Sequence, residues 1–180
     1  MKLLLDACVL YPTVLREILI GCAREGLYTP LWSERILEEW ARATVKLGPQ
    51  AEVFARGEVA MLRAAFPQAS VAPHAGLEAR LHLPDENDIH VLAAAISGGA
   101  DAIVTFNACD FPRGALAQEG LERRDPDGLL WELWSGAPEA VARVCEAVRS
   151  EAERLSGAPQ PMRSLLKRAK LPRLAKALTQ

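Results

Sequence analysis

Three leucines, Leu3-Leu4-Leu5, run without a polar break into Asp6, and an apolar run of this length predicts a strand buried on both faces. The period then changes. Val14, Leu15, Ile18, Leu19 and Cys22 recur at helical spacing, predicting a helix over 14–25 with Gly26 as its C-cap. Residues 28–32 read as a short connection or strand. Ser33 is then a good N-cap for a helix carrying Ile36, Leu37, Trp40, Ala41 and Thr44, which stops near Gly48-Pro49. Another helix fits 50–65, despite Gly57, and ends before Pro67. Segment 68–84 has no clear period: Val71-Ala72 suits a brief strand, and 77–83 suits helix or loop. From Glu86 the helical period returns through Ile89, Leu92, Ala93 and Ile96 and ends at Gly98-Gly99. Residues 102–106 make a second buried strand and 121–124 a third, with a helix from Pro126 through Trp134. One more amphipathic helix covers 138–155. A linker of Ser, Gly, Ala, Pro and Gln follows over 156–161, and two short helical stretches break before Pro172. Helices alternating with buried strands predict an α/β fold, three layers deep, with a central parallel sheet.

Composition adds limits. At 180 residues, half of them hydrophobic, the chain suits one domain and a modest extension. The expected division is a domain over 1–135 and a helical C-terminal extension with a basic tail over 136–180. No apolar stretch is long enough to predict a membrane-spanning helix. Lys2 and the leucines resemble the start of a signal peptide, but Asp6 and Pro12 interrupt the run and Arg16 closes it, so a cytoplasmic protein is expected. Cys8, Cys22, Cys109 and Cys145 form no C-x-x-C pair, so buried free thiols are expected rather than zinc or disulfides. The net charge of -2 conceals an asymmetry: residues 159–180 carry six basic and no acidic side chains, leaving 15 basic against 23 acidic elsewhere. Such a tail suits either a polyanion contact or a solvated helix face. Trp131, Trp134 and the helix after Pro138 cap the core or meet a second copy.

The candidate chemistry is acidic. Asp6 follows the first strand, and Glu39 borders the stripe through Ile36 and Trp40. Asp88 sits in the first turn of the helix running to Gly98, and Asp110 follows the Ile103–Thr105 strand. In a parallel sheet, loops after strands and nearby helix N-termini converge on one edge. Two charges ~4 Å apart repel by ~4 kcal/mol at an effective dielectric of about 20. A hard divalent cation with oxygen ligands relieves this, which points to magnesium or manganese. Each residue also has a plainer explanation: helix capping for Asp88 and Asp85, a turn for Asp110, the surface for Glu39. Asp6 is the hardest to explain plainly. Phosphate-binding glycine loops, H-E-x-x-H and G-x-S-x-G are all absent.

Four pieces in order carry a resemblance: Leu4-Leu5-Asp6; Ile36-Leu37-Glu38-Glu39-Trp40; Asp85 through Ala95; and Ile103-Val104-Thr105-Phe106-Asn107 with Asp110-Phe111. Together, over roughly residues 1–135, they resemble a PIN domain, nearest the VapC-type toxins of toxin–antitoxin pairs. The resemblance implies a PIN-like fold and a magnesium- or manganese-dependent endoribonuclease. It implies an acidic quartet at Asp6, Glu39, Asp88 and Asp110, the metal being held by Asp6, Asp88 and Asp110. Thr105 and Asn107 would support the site or its substrate. It further implies an RNA substrate, a cognate antitoxin and a possible homodimer. Many members have Asp where this chain has Asn107, which fits the rival expectation of a catalytically decayed interaction module. A phosphohydrolase for small phosphoesters is the third expectation.

Overall fold

β1 (Lys2–Leu5) is the centre of the sheet. In the computed structural model, which describes residues 1–72 and 74–179, Leu3, Leu4 and Leu5 are fully buried. Parallel neighbours flank β1 on both sides. β2 (Thr29–Leu31) pairs through Leu4↔Leu31, and β3 (Ala102–Val104) through Leu4↔Ile103. β4 (Glu122–Arg124) lies outside β3, giving the all-parallel order β2-β1-β3-β4. As an edge strand it tolerates the charged sequence Glu122-Arg123-Arg124. The chain leaving β1 leads to β2 on one side, and the chain leaving β3 leads to β4 on the other. Beyond the carboxyl ends of β1 and β3 the connections therefore diverge, and open parallel sheets bind ligands at such a point.

The chain divides into two compact units, Met1–Tyr11 with Thr29–Arg124, and Pro12–Tyr28 with Asp125–Gln180. The first holds the sheet and α1 (Ala7–Leu10), and the second begins with α2 (Thr13–Arg24). α3 (Glu34–Ala43), α4 (Pro49–Ala65), α5 (Leu77–Arg80), α6 (Ile89–Gly98) and α7 (Arg113–Gln118) complete the first unit. Ser33 caps α3 as expected, its hydroxyl accepting from Ile36 N at 3.2 Å. α6 is so apolar that Val91 through Ala95 are all buried. The ambiguous 68–84 segment contributes one parallel bridge, Trp32↔Ser70, and the single turn of α5. α1 and α7 escape the sequence pattern, because helices of four and six residues are shorter than the window that periodicity needs.

In the second unit α2 packs against α9 (Pro138–Ser156), which also meets α8 (Pro126–Gly136) and α10 (Met162–Arg168), while α11 (Pro172–Leu178) packs on α8 and α10. Gly21 permits the approach of α2 to α9: a Cβ there would meet Val144 Cγ1 at 2.5 Å. Buried Asp127 caps α11, accepting from Arg173 N at 2.9 Å and Leu174 N at 3.0 Å. The Arg173 guanidinium lies 4.8 Å over the Trp131 ring. The four cysteines are free. Cys22 and Cys145 are buried as expected, whereas Cys8 is half-buried and Cys109 is exposed on the turn after β3. No helix among the described residues is long and apolar enough to cross a membrane.

Candidate metal centre

Asp6 occupies the N-cap position of α1, yet its side chain caps nothing there. Its Oδ2 instead accepts from Thr105 Oγ1 at 2.7 Å and from Cys8 Sγ at 3.0 Å, and only 7% of the residue is exposed. Thr105 Oγ1 accepts in turn from Asn107 N at 2.9 Å, and Cys8 Sγ from Phe106 N at 3.3 Å. The ends of β1 and β3 are thus stitched together by side chains. Burial, the Asp6 charge and the hydrogen bond to it push the Cys8 thiol up to about 12. Cys8 stays protonated and donates to Asp6.

Asp88 ends a 3-10 turn, Glu86–Asp88, and leads into α6 without capping it. Its Oδ2 accepts from Asn107 Nδ2 at 3.2 Å. Asp85 does cap: its Oδ1 accepts from Asn87 N at 2.9 Å. Asp110 arrives on the turn after β3. One carboxylate oxygen from each of Asp85, Asp88 and Asp110 lies within 4.8 Å of the others, and all three residues are half-buried. Burial, then the charges of Asp6, Asp85 and Asp110, raise the Asp88 carboxyl to about 6, while His90 offsets part of this.

Glu39 reaches the same neighbourhood from α3. Its Oε1 accepts from Arg35 Nε at 3.2 Å and lies 2.9 Å from Nε2 of His90, which is 2% exposed. The two His90 ring nitrogens have no well-aligned hydrogen-bond partner, so the approach to Glu39 is an electrostatic contact. Burial works against ionisation of Glu39, but His90 and Arg35 outweigh it and hold the carboxyl below its ordinary value. Glu38 turns the other way. It accepts from Arg42 Nε at 2.7 Å and Arg56 Nη1 at 2.9 Å, and hydrogen bonds to Arg56 and Arg42 lower it to about 2.

Of the six residues predicted for the site, Asp88 and Asp110 share the carboxylate cluster. Asp6, Thr105 and Asn107 form a hydrogen-bonded chain that ends on Asp88. Glu39 is joined to α6 through His90 and stands outside the three-carboxylate group. Sequence reasoning missed Asp85 as a cluster member, because capping explained it; the i, i+3 pair Asp85/Asp88 across a helix start was the available signal. It also left out His90, whose burial no local pattern reveals.

The donor set fits a divalent cation of the magnesium class. It is all carboxylate oxygen, with no thiolate or imidazole, and burial together with the neighbouring carboxylate charges raises the Asp88 carboxyl to about 6. Among protein families, residues 2–108, more than half of the chain, match the PIN domain. No curated protein and no solved structure matches the chain.

Proposed function

Because the chain belongs to the PIN domain family, we propose that it is a magnesium- or manganese-dependent endoribonuclease, the toxin of a toxin–antitoxin pair. PIN domains are nuclease-type folds, and the carboxylates of Asp85, Asp88 and Asp110 within 4.8 Å of one another carry the reading here. Asp85, Asp88 and Asp110 would hold the cation, with Asp6 adding charge from behind. When bound, a divalent cation supplies Lewis-acid polarisation of a phosphate oxygen and a water acidified toward neutral pH. Thr105 and Cys8 hold Asp6 in one orientation, so its charge need not reorganise during the reaction. Glu39 stays ionised and has Oε1 turned to Arg35 and His90. Its Oε2 is then the atom that takes a proton from the attacking water.

The reading includes a cognate antitoxin and a homodimer. A cationic antitoxin segment, an arginine above all, suits the clustered carboxylates in place of metal. Val53, Phe54 and Met61, exposed at 70%, 71% and 66% on one side of α4, support contact with a second copy.

One observation favours the decayed interaction module. The Asn107 amide donates to Asp88, a neutral partner where many family members have a carboxylate. Cleavage of cellular RNA by purified protein, freed of any bound antitoxin, separates the two. Discrete cuts with manganese, abolished by EDTA and by Asp6→Asn, are expected. Equal background in every lane would favour the interaction module.

A further inference from the structure

α10 and α11 sort their residues by charge. Leu165, Leu166, Leu171, Leu174 and Ala175 are buried, while Arg163, Lys167, Arg168, Lys170, Arg173 and Lys176 are all exposed. No acidic side chain lies within residues 159–180. Arginines on other helices behave differently. Arg35, Arg42, Arg56 and Arg149 each meet a glutamate one turn away, at Glu39, Glu38, Glu52 and Glu146.

Helix dipoles explain part of the pattern. Lys167 and Arg168 in the last turn of α10, and Lys176 in the last turn of α11, sit where a cation is favoured. Arg163 and Arg173 lie in first turns, where the dipole opposes a cation. Arg173 has its stack on Trp131, but Arg163 stands four residues from Lys167, a repulsive spacing on the exposed face. Lys170 adopts φ 61 after α10, a left-handed position that glycine or asparagine usually takes. Arg163 at least is a cation kept where local helix energetics select against it. Asp127 and the Arg173–Trp131 stack hold the start of α11 in place.

We propose that the α10–α11 hairpin binds the sugar–phosphate backbone of RNA. The choice of RNA as the polyanion rests on the ribonuclease reading. The remainder of the chain, with 15 basic and 23 acidic side chains, has an acidic excess that includes the aspartate cluster and repels phosphate. The hairpin supplies the opposing attraction. It reads phosphates rather than bases, so binding is indifferent to sequence and steeply salt-dependent.

The test is anisotropy of a fluorescent single-stranded RNA with the full chain in EDTA, across 50 to 200 mM salt. The variant combines Arg163→Gln, Lys167→Gln, Lys170→Gln and Lys176→Gln, sparing the capped and stacked Arg173, with folding checked by thermal melting. Binding should weaken about tenfold or more, and the slope of log K against log salt should fall by about 0.7 for each phosphate no longer neutralised. If the wild type binds RNA and the folded variant keeps the same affinity and slope, the proposal is overturned. Unchanged RNA binding with loss of an acidic protein partner would overturn it in favour of a protein surface. Parallel cleavage with manganese separates the two readings. RNA binding that depends on the hairpin, without cutting, upholds the proposal and counts against the ribonuclease. Cutting by both proteins with equal binding does the reverse.

Discussion

Asp88 is the residue on which the charge of the centre converges, and its protonation makes the centre measurable without substrate. Burial, then the charges of Asp6, Asp85 and Asp110, raise its carboxyl in the folded, metal-free protein from the ordinary 3.8 to about 6. Between those values the folded state holds a proton that the unfolded state has lost. The Asp88 contribution to stability therefore falls as pH rises through this window and stays low above it. A divalent cation binds the deprotonated form and restores the loss. Manganese should raise the melting temperature more at pH 7 than at pH 5, and an equal rise at both would contradict the assignment. Thr105→Val should cost about 1–3 kcal/mol in urea unfolding, because buried Asp6 loses its hydroxyl donor and keeps only the weaker Cys8 thiol, while the side-chain shape is kept. At this scale Asp6, Asp88 and Asp110 stand out in the sequence as carboxylates next to core segments. Asp85 does not, because capping and clustering draw on the same carboxylate. His90 does not either, since only tertiary packing brings Glu39 beside it.

The elements that set the centre are short and unequal in legibility. β1 and β3 are readable because strands buried on both faces appear as unbroken apolar runs, Leu3–Leu5 and Ala102–Val104. α3 is readable from Ser33 and its stripe, and the cap matters because α3 carries Glu39. Ser33→Ala should destabilise the protein by about 1 kcal/mol, measured by denaturant unfolding. β4 is harder, its charges reflecting an edge position rather than a core one. In the second unit Gly21→Ala brings a Cβ against Val144, a stiff β-branched side chain. Overpacking there should cost about 1–3 kcal/mol in the same assay, and a neutral result would mean that α2 and α9 can part without penalty.

Across the whole molecule, charge is the feature that sequence exposes best and explains least. The acidic excess and the basic tail are visible by counting, yet only the structure shows that Leu165, Leu166, Leu171 and Leu174 anchor the tail while its cations face outward. Likewise the order of acidic residues along the chain says that they converge, but not that Asp85, Asp88 and Asp110 present carboxylate oxygens within 4.8 Å of one another. The sheet order β2-β1-β3-β4 sets Thr105, Asn107 and Asp110 after β3 next to Asp6 after β1. On the proposed function this convergence holds a divalent cation. The decisive measurement is isothermal titration of manganese into the wild-type chain and Asp88→Asn at neutral pH. Saturable binding to the wild type is expected, weakened at least about tenfold in the variant, since even partners behind the ligands cost that much. Equally weak, non-saturating heats from both proteins would overturn the cation assignment.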